Sequence, residues 1–184
     1  MATRKAKRRP RKPPRRGRTA RTPRALVETR FSPPAAPRRA PIRLAAAALT
    51  DIGRRREHNE DAFHCDASGL FIVADGMGGK AAGEAASKAV VTVLPALLRQ
   101  SLEPLRKPTA RRIKDALAHA LDRLSQDLYR RTHEHPGLAG LGSTAAVLMI
   151  RDGVGYVGYA GDSRIYLLRG GQLERLTTDQ TTAM

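Results

Sequence analysis

The pattern of apolar and polar residues predicts short strands at the start of the chain's central part. Leu70–Ala74 is a short, continuous run of mostly bulky apolar side chains, which is typical of a buried strand. The turn Asp66-Ala67-Ser68-Gly69 connects it to a second predicted strand, Ala62–Cys65, so the two indicate a β-hairpin. The pattern predicts a weaker first strand over Ile42–Thr50, because alanine has a low strand propensity.

Two helices are predicted after this hairpin. Ala82–Leu94 has a helical pattern, and Pro95 is expected to kink or end that helix because proline lacks a backbone N–H. Thr109 is the predicted N-cap of the second helix. The apolar residues of this helix recur at spacings of three and four, which places them on one stripe: Ile113, Leu117, Leu121, Leu124 and Leu128.

The last part of the chain returns to a strand pattern, after a loop predicted over Thr132–Gly142. The predicted strands are Thr144–Ile150, Val154–Ala160, Ile165–Arg169 and Gln172–Leu176. Their short connections indicate antiparallel neighbours, since parallel strands need long crossovers. Strands, two helices and then further strands predict an α+β domain of layered antiparallel sheets, which we place at residues 44–184.

Positive charge is concentrated at the N-terminus. The chain has a formal net charge of +17, and residues 1–43 hold 16 of its 34 lysines and arginines against a single acid, Glu28. This Pro/Arg-rich tail has few large apolar residues, so we expect it to be disordered. It suits weak, non-specific contact with nucleic acid, but it lacks the aromatic side chains that stack on bases. The favoured alternative is an extension that is merely solvated.

The sequence favours a cytoplasmic protein. It contains no apolar run of the ~20 residues that a membrane-spanning helix needs. Leu44–Leu49 is apolar but short, and a secretory signal has a short basic stretch before its apolar region, unlike the long one here. A single cysteine, Cys65, excludes an internal disulfide and fits a reducing compartment.

Candidate chemistry lies in carboxylates at predicted strand ends or in adjoining loops. These are Glu60-Asp61, Asp75 and Asp162, with Gly76 offering a backbone carbonyl next to Asp75. Oxygen ligands without Cys/His pairs indicate Mg²⁺ or Mn²⁺ and not zinc. Arg56 lies four residues before Glu60, where a guanidinium suits a phosphoryl group. Each acid by itself also fits an ordinary solvated turn.

A dinucleotide-binding loop is one alternative. Gly76-x-Gly78-x-x-Ala81 lies between a predicted strand and a predicted helix, as in the loose dinucleotide fingerprint. That fold also needs a parallel strand after the helix and an acid about 20 residues further on. Pro95–Leu105 offers no clear strand, and its only acid is Glu103. The fingerprint is therefore weakly supported.

Four motifs follow one another along the chain: Arg56-Glu57-His58-Asn59-Glu60-Asp61-Ala62, Val73-Ala74-Asp75-Gly76-Met77-Gly78-Gly79, Gly142-Ser143-Thr144-Ala145 and Ala160-Gly161-Asp162-Ser163-Arg164. Their order and separations resemble the signatures of the type 2C metal-dependent Ser/Thr protein phosphatases of bacteria, the PPM family. The resemblance covers about residues 46–180. It implies a sandwich of two antiparallel β-sheets flanked by helices (α-β-β-α layers), with a two-metal site between the sheets.

The resemblance also implies which residues bind metal. Asp75 matches the carboxylate that bridges two Mn²⁺ or Mg²⁺ ions, and the Gly76 carbonyl and Glu60 match ligands of one of them. Asp162 matches an aspartate linked to a third, weaker ion. The complete family site needs two further aspartates from a C-terminal segment that this sequence does not contain, and Gln180 stands where a histidine is usual. We therefore expect the fold to be incomplete at the C-terminus and metal binding to be poor.

The implied reaction is hydrolysis of phosphoserine or phosphothreonine by metal-activated water, without a covalent phosphoenzyme. Arg56 matches the arginine that binds the substrate phosphate, and Asp61 matches a carboxylate that orients metal-bound water. The implied partners are phosphorylated proteins, including a Ser/Thr kinase or its targets. The non-enzymatic alternative is an inactive, phosphatase-like binding or scaffold protein with a basic tail.

Overall fold

The computed structural model describes residues 25–29, 43–78, 80–138 and 140–180. They form eight strands, two α-helices and a short 3-10 helix, Pro136–Leu138. The strands are β1 Ala25–Thr29, β2 Asp61–Cys65, β3 Leu70–Met77, β4 Gly142–Ser143, β5 Ala145–Arg151, β6 Val154–Ala160, β7 Tyr166–Arg169 and β8 Gln172–Arg175, and the helices are α1 Lys80–Leu102 and α2 Ala110–Glu134.

Two antiparallel sheets carry the fold. The larger has the strand order β1-β6-β5-β3-β2, with β4 also paired to β3, and the smaller is the hairpin β7-β8. The predicted hairpin before the helices is confirmed, since β2 and β3 pair antiparallel through a turn closed by Asp66. With the two helices, this confirms the predicted α+β class and its antiparallel sheets.

The two helices cover one face of the large sheet. The predicted cap is confirmed, because the Thr109 hydroxyl accepts a hydrogen bond from the Arg112 backbone N–H at 3.3 Å. All five residues of the predicted α2 stripe are buried. They pack with α1 and with the inward-facing side chains of β3, β5 and β6 in the main core. Burial of this apolar stripe stabilises the helix against the sheet.

Helix α1 continues through Pro95 to Leu102, which is further than the predicted end at Leu94. A proline inside a helix removes one backbone hydrogen bond and costs about 3 kcal/mol or more. Leu94 and Leu98, which lie just before and just after Pro95 in the helix, are almost completely buried. Because each buried leucine stabilises by about 1.5–3 kcal/mol, packing against the sheet offsets the cost of the proline.

The opposite face of the large sheet is only partly covered. Val157 and Tyr159 of β6 pack under the segment that carries Leu176, with Ile165 and Leu167 against them. Over β2 and β3 the same face is open, where Phe63 keeps 40% and Val73 53% of its surface exposed. These two residues lie opposite each other and line a groove of about 330 Å³. The second layer is therefore partial among the described residues.

The predicted disorder of residues 1–43 is wrong for Ala25–Thr29, which forms β1. This segment pairs antiparallel with the edge of β6, in the register Ala25 to Tyr159 through Thr29 to Gly155. The edge would otherwise present unpaired N–H and C=O groups, and Ala-Leu-Val-Glu-Thr supplies strand-forming residues to satisfy them. Residues 1–24 and 30–42 of the predicted tail lie outside the described residues.

The strand predicted over Ile42–Thr50 is also wrong for its described part. Residues 43–50 have no regular structure and are exposed. Four successive alanines give the segment little apolar surface to bury, and it pairs with no strand in the part of the chain that the structure describes. In the same described part, neither α-helix is long and apolar enough to cross a membrane.

Candidate active site

The candidate site lies where β2 begins and β3 ends. Asp61 and Asp75 are directly opposite each other in the antiparallel register, so their side chains lie on the same face of the sheet. This is the open face, continuous with Phe63 and Val73. The sequence placed these two acids in separate motifs, and strand pairing brings them together.

The environment of Asp75 raises the pKa of its carboxyl group. Partial burial is the largest cause, although the side chain still reaches solvent, and the nearby Asp61 carboxylate adds to it. The Arg56 guanidinium opposes the shift, whereas the charge of Asp162 and a hydrogen bond with Asp61 reinforce it. The structure therefore places Asp61, Arg56 and Asp162 within electrostatic reach of Asp75.

Glu60 is oriented by a close approach of three backbones. The Gly76 N–H donates to the Glu60 carbonyl at 3.0 Å, and a Cβ on Gly76 would clash with the carbonyl oxygen of Gly83 in α1. A Cβ on Gly83 would in turn lie 2.9 Å from the Glu60 carboxyl carbon. The carboxylate lies 3.8 Å from the Arg56 guanidinium. Two glycines are thus required here for space, which explains part of the glycine pattern.

The polar loop before β2 is held by Asn59. Its side-chain oxygen accepts from the Asp61 N–H at 3.0 Å, and its amide donates to the Thr50 hydroxyl at 2.8 Å. Asn59 thereby fixes the start of β2 and the position of Asp61. No role was predicted for Asn59 from sequence, although its position inside the first motif is the signal that would have indicated one.

Asp162 lies on an exposed turn that the end of the described chain holds in place. The Gln180 N–H donates to the Gly161 carbonyl at 3.0 Å, and the Gly161 N–H donates to the Gln180 side chain at 3.4 Å. Beside the turn, Arg164 binds the Asp179 carboxylate through two N–H groups at 3.0 and 2.6 Å. This bidentate contact lowers the pKa of Asp179. Gln180 therefore helps to hold this turn, a role that sequence alone did not predict.

The donor chemistry around Asp75 fits a hard divalent cation. Within the described ranges no three His, Cys, Asp or Glu side chains form a group that could hold a metal ion. Mg²⁺, however, is commonly bound by one or two carboxylates while it keeps several waters. Asp61 and Asp75 supply two adjacent carboxylates whose mutual repulsion a cation would relieve. The residues present thus fit one such ion.

Comparison with known proteins identifies the family. The profile of the family described as Protein phosphatase 2C matches residues 52–184. The chain belongs to the protein phosphatase 2C family. Members of this family are metal-dependent, generally on Mn²⁺ or Mg²⁺, which agrees with the oxygen-rich surroundings of Asp75. The family resemblance found in the four sequence motifs is confirmed.

Two relatives within the protein phosphatase 2C family come from bacteria. Protein phosphatase PhpP of Streptococcus pneumoniae is 33% identical over 138 residues, which are 72% of this chain and 54% of PhpP. Serine/threonine protein phosphatase PstP of Mycobacterium tuberculosis is 38% identical over 136 residues, 73% of this chain and 25% of PstP. The chain thus spans about half of PhpP and a quarter of PstP.

A solved structure extends the similarity from sequence to fold. The crystal structure of the Mycobacterium tuberculosis phosphatase PstP/Ppp superposes with a TM-score of 0.59 at 35% identity, over 72% of this chain and 53% of that one. The phosphatase Stp1 of Staphylococcus aureus gives a TM-score of 0.60 at 27% identity, over 75% of this chain and 56% of Stp1. The α+β arrangement described above is that of the protein phosphatase 2C family.

Proposed function

We propose that the protein is a metal-dependent Ser/Thr phosphatase that hydrolyses phosphoserine and phosphothreonine in proteins. The observation that carries this proposal is the position of Asp61 opposite Asp75, within electrostatic reach of Arg56, in a chain of the protein phosphatase 2C family. Two carboxylates and a guanidinium at one point recognise a cation and a phosphate together.

Each candidate residue has a separate role in this proposal. Asp75 would hold the cation, and Asp61 beside it would orient a water molecule bound to that cation. Glu60 and the Gly76 carbonyl would add oxygen ligands beside Asp75, and Asp162 would contribute to a further, weaker cation position of the complete family site. The bound cations supply the charge that lowers the pKa of water and neutralises phosphate oxygens.

Arg56 binds the phosphate of the substrate. Its side chain is 65% exposed, and its contact with Glu60 is long, at 3.8 Å, so the guanidinium is available to a ligand. Its planar fork can donate two parallel hydrogen bonds to phosphate oxygens. The open position of the site on the sheet face admits a phosphorylated side chain that projects from a protein surface.

The cellular setting belongs to the same proposal. We expect phosphorylated proteins as substrates, among them a Ser/Thr kinase or its targets, and a cytoplasmic location. We also expect the basic residues 1–43 to give weak, salt-dependent contact with nucleic acid, since 16 lysines and arginines face one acid there. Filter binding at low and high salt, with and without residues 1–24, tests this contact.

A phosphate-release assay tests the proposed function. The purified chain is incubated with a phosphoserine, a phosphothreonine or a phosphotyrosine peptide, in Mn²⁺, Mg²⁺ or EDTA. We expect release from the first two peptides only with a divalent cation. Mn²⁺ binding without any hydrolysis would favour the binding or scaffold alternative. Hydrolysis that persists in EDTA would contradict the proposal.

A further inference from the structure

Thr144 lies between β4 and β5, and its hydroxyl group joins the end of β3, which carries Asp75, to the turn that carries Asp162. Its Oγ1 accepts a hydrogen bond from the Asp75 N–H at 2.9 Å and lies 2.7 Å from the Ser163 Oγ. Its backbone N–H donates to the Asp75 carbonyl at 2.8 Å. Thr144 therefore contacts both backbone polar groups of Asp75 and, through Ser163, the turn that carries Asp162.

The methyl group of Thr144 also makes a packing contact, with Gly161. Gly161 has a φ of +94°, in the region that favours glycine, and a Cβ built on it would lie 2.8 Å from the Thr144 Cγ2. The turn before Asp162 thus packs directly against that methyl group. Both branches of this β-branched side chain have a partner, so its rotamer is fixed by contacts on two sides.

The contacts form one continuous path between two acids. Asp75 and Asp162 are 87 residues apart in sequence, on β3 and on the turn after β6. The Thr144 side chain contacts the Asp75 N–H, the Ser163 hydroxyl and Gly161, so one side chain connects the residues that carry the two carboxylates. They repel each other when both are ionised, and a cation site requires them to stay together against that repulsion. The Asp75–Thr144–Ser163 path opposes their separation.

We propose that Thr144 is a positioning residue that holds the Asp75 strand end against the Asp162 turn, with its hydroxyl fixing Asp75 and Ser163 and its methyl fixing Gly161. This inference rests on the proposed function, since it assigns Thr144 to that site. Thr144 has no carboxylate and binds neither the cation nor the phosphate. It acts by positioning the residues that bind them.

Three variants and one control test this role in the full 184-residue chain. Thr144→Val keeps the methyl group but removes the hydroxyl, Thr144→Ser does the reverse, and Ser163→Ala removes only the far end of the path. Ser143→Ala is the control, because it removes a neighbouring hydroxyl that donates to the Thr144 carbonyl at 2.8 Å. The readouts are hydrogen exchange of the Asp75 amide by NMR and Mn²⁺ affinity by electron paramagnetic resonance.

We expect Thr144→Val to accelerate Asp75 amide exchange and to weaken Mn²⁺ binding roughly five- to tenfold, the size of one lost hydrogen bond. Thr144→Ser should keep the Asp75 amide protected, and Ser143→Ala should match the unmodified chain in both measurements. Ser163→Ala should weaken Mn²⁺ binding while the Asp75 amide stays protected. The double variant Thr144→Val/Ser163→Ala should bind Mn²⁺ no more weakly than Thr144→Val alone.

Two results would overturn the positioning role. One is Thr144→Val behaving like Ser143→Ala in Mn²⁺ affinity. The other is additive losses in the double variant, which would show that the two hydroxyls act independently. If Thr144→Val unfolds, the Ser163→Ala variant still tests the proposal. Unchanged Mn²⁺ affinity in Ser163→Ala would contradict the Asp75–Thr144–Ser163 path. Neither readout requires turnover, so a chain that hydrolyses no phosphopeptide would fail the proposed function and leave this test intact.

Discussion

Asp61 and Asp75 lie directly opposite each other across β2 and β3, with their carboxyl groups on the open face of the large sheet. Like charges in this arrangement destabilise the folded chain unless a cation or a proton lies between them. The raised pKa of Asp75 is the electrostatic result of burial and of this neighbour. The site is thus assembled for a positively charged ligand at some cost to stability.

Replacing Asp75 by asparagine should therefore separate ligand binding from stability. We expect Asp75→Asn to unfold at the same or a higher temperature than the unmodified chain in EDTA, because the repulsion with Asp61 is gone. Added Mn²⁺ should raise the unfolding temperature of the unmodified chain but not of the variant. Differential scanning fluorimetry with and without Mn²⁺ measures both.

The control for this prediction is Asp115→Asn, an exposed acid on α2 that lies 3.9 Å from Arg111. It removes the same charge from a different surface, so its Mn²⁺ response should equal that of the unmodified chain. An equal Mn²⁺ response of Asp75→Asn would contradict the assignment of Asp75 as a cation ligand. Phosphoserine hydrolysis should also be lost in Asp75→Asn and retained in the control.

Arg56→Ala should weaken substrate binding and leave cation binding nearly unchanged. A lost charged hydrogen bond costs roughly 1.5–3 kcal/mol, so KM for a phosphoserine peptide should rise by about tenfold or more. Stability should change little, because the ion pair with Glu60 is long and exposed. Arg55→Ala, one residue away and also exposed, is the control. An equal rise of KM in both variants would indicate only a general effect of positive charge.

Deletion of the first 24 residues should leave the fold intact, whereas deletion of the first 29 should not. The two truncated chains share the loss of 12 lysines and arginines and differ only by Ala25–Thr29, which forms β1. Loss of β1 leaves the edge of β6 unpaired, so we expect a lower unfolding temperature and more aggregation. Equal unfolding temperatures would show that β1 contributes nothing to stability.

Asp66 should make stability depend on pH below about 4. Partial burial raises its pKa, but hydrogen bonds from Ser68, His64 and the Leu70 N–H outweigh this effect and lower the pKa to about 2. Because the folded pKa lies below the unfolded value of 3.8, the stabilisation is complete above pH 3.8 and is lost as pH falls towards 2. We expect it to be about 1–2 kcal/mol after allowance for solvent screening.

Urea unfolding of Asp66→Asn between pH 2 and 6 measures this effect. The variant should be less stable than the unmodified chain at pH 6, and the difference should shrink as the pH falls. Asp115→Asn, an exposed acid, serves again as the control for the loss of a charge. A difference that stays constant over the whole range would assign the effect to the shape of the turn and not to the charge of Asp66.

Local sequence patterns determined the elements of this protein because they depend on neighbours in the chain. Strand β6 has the predicted bounds Val154–Ala160, and the α2 stripe and its Thr109 cap are as predicted. The four motifs likewise determined the family, because their order along the chain is itself a sequence property. Pro95 shows the limit of local rules, since burial of the turns around it overrides the tendency of proline to end a helix.

Only the tertiary structure decided which residues meet. Register places Asp61 against Asp75, and Thr144 connects Asp75 to the Gly161 turn, although these two belong to motifs that are far apart in sequence. Pairing with β6 makes a strand of Ala25–Thr29, although the charge and proline around it indicate disorder. These outcomes depend on long-range hydrogen bonds and on the available sheet edge, and no local window of sequence contains that information.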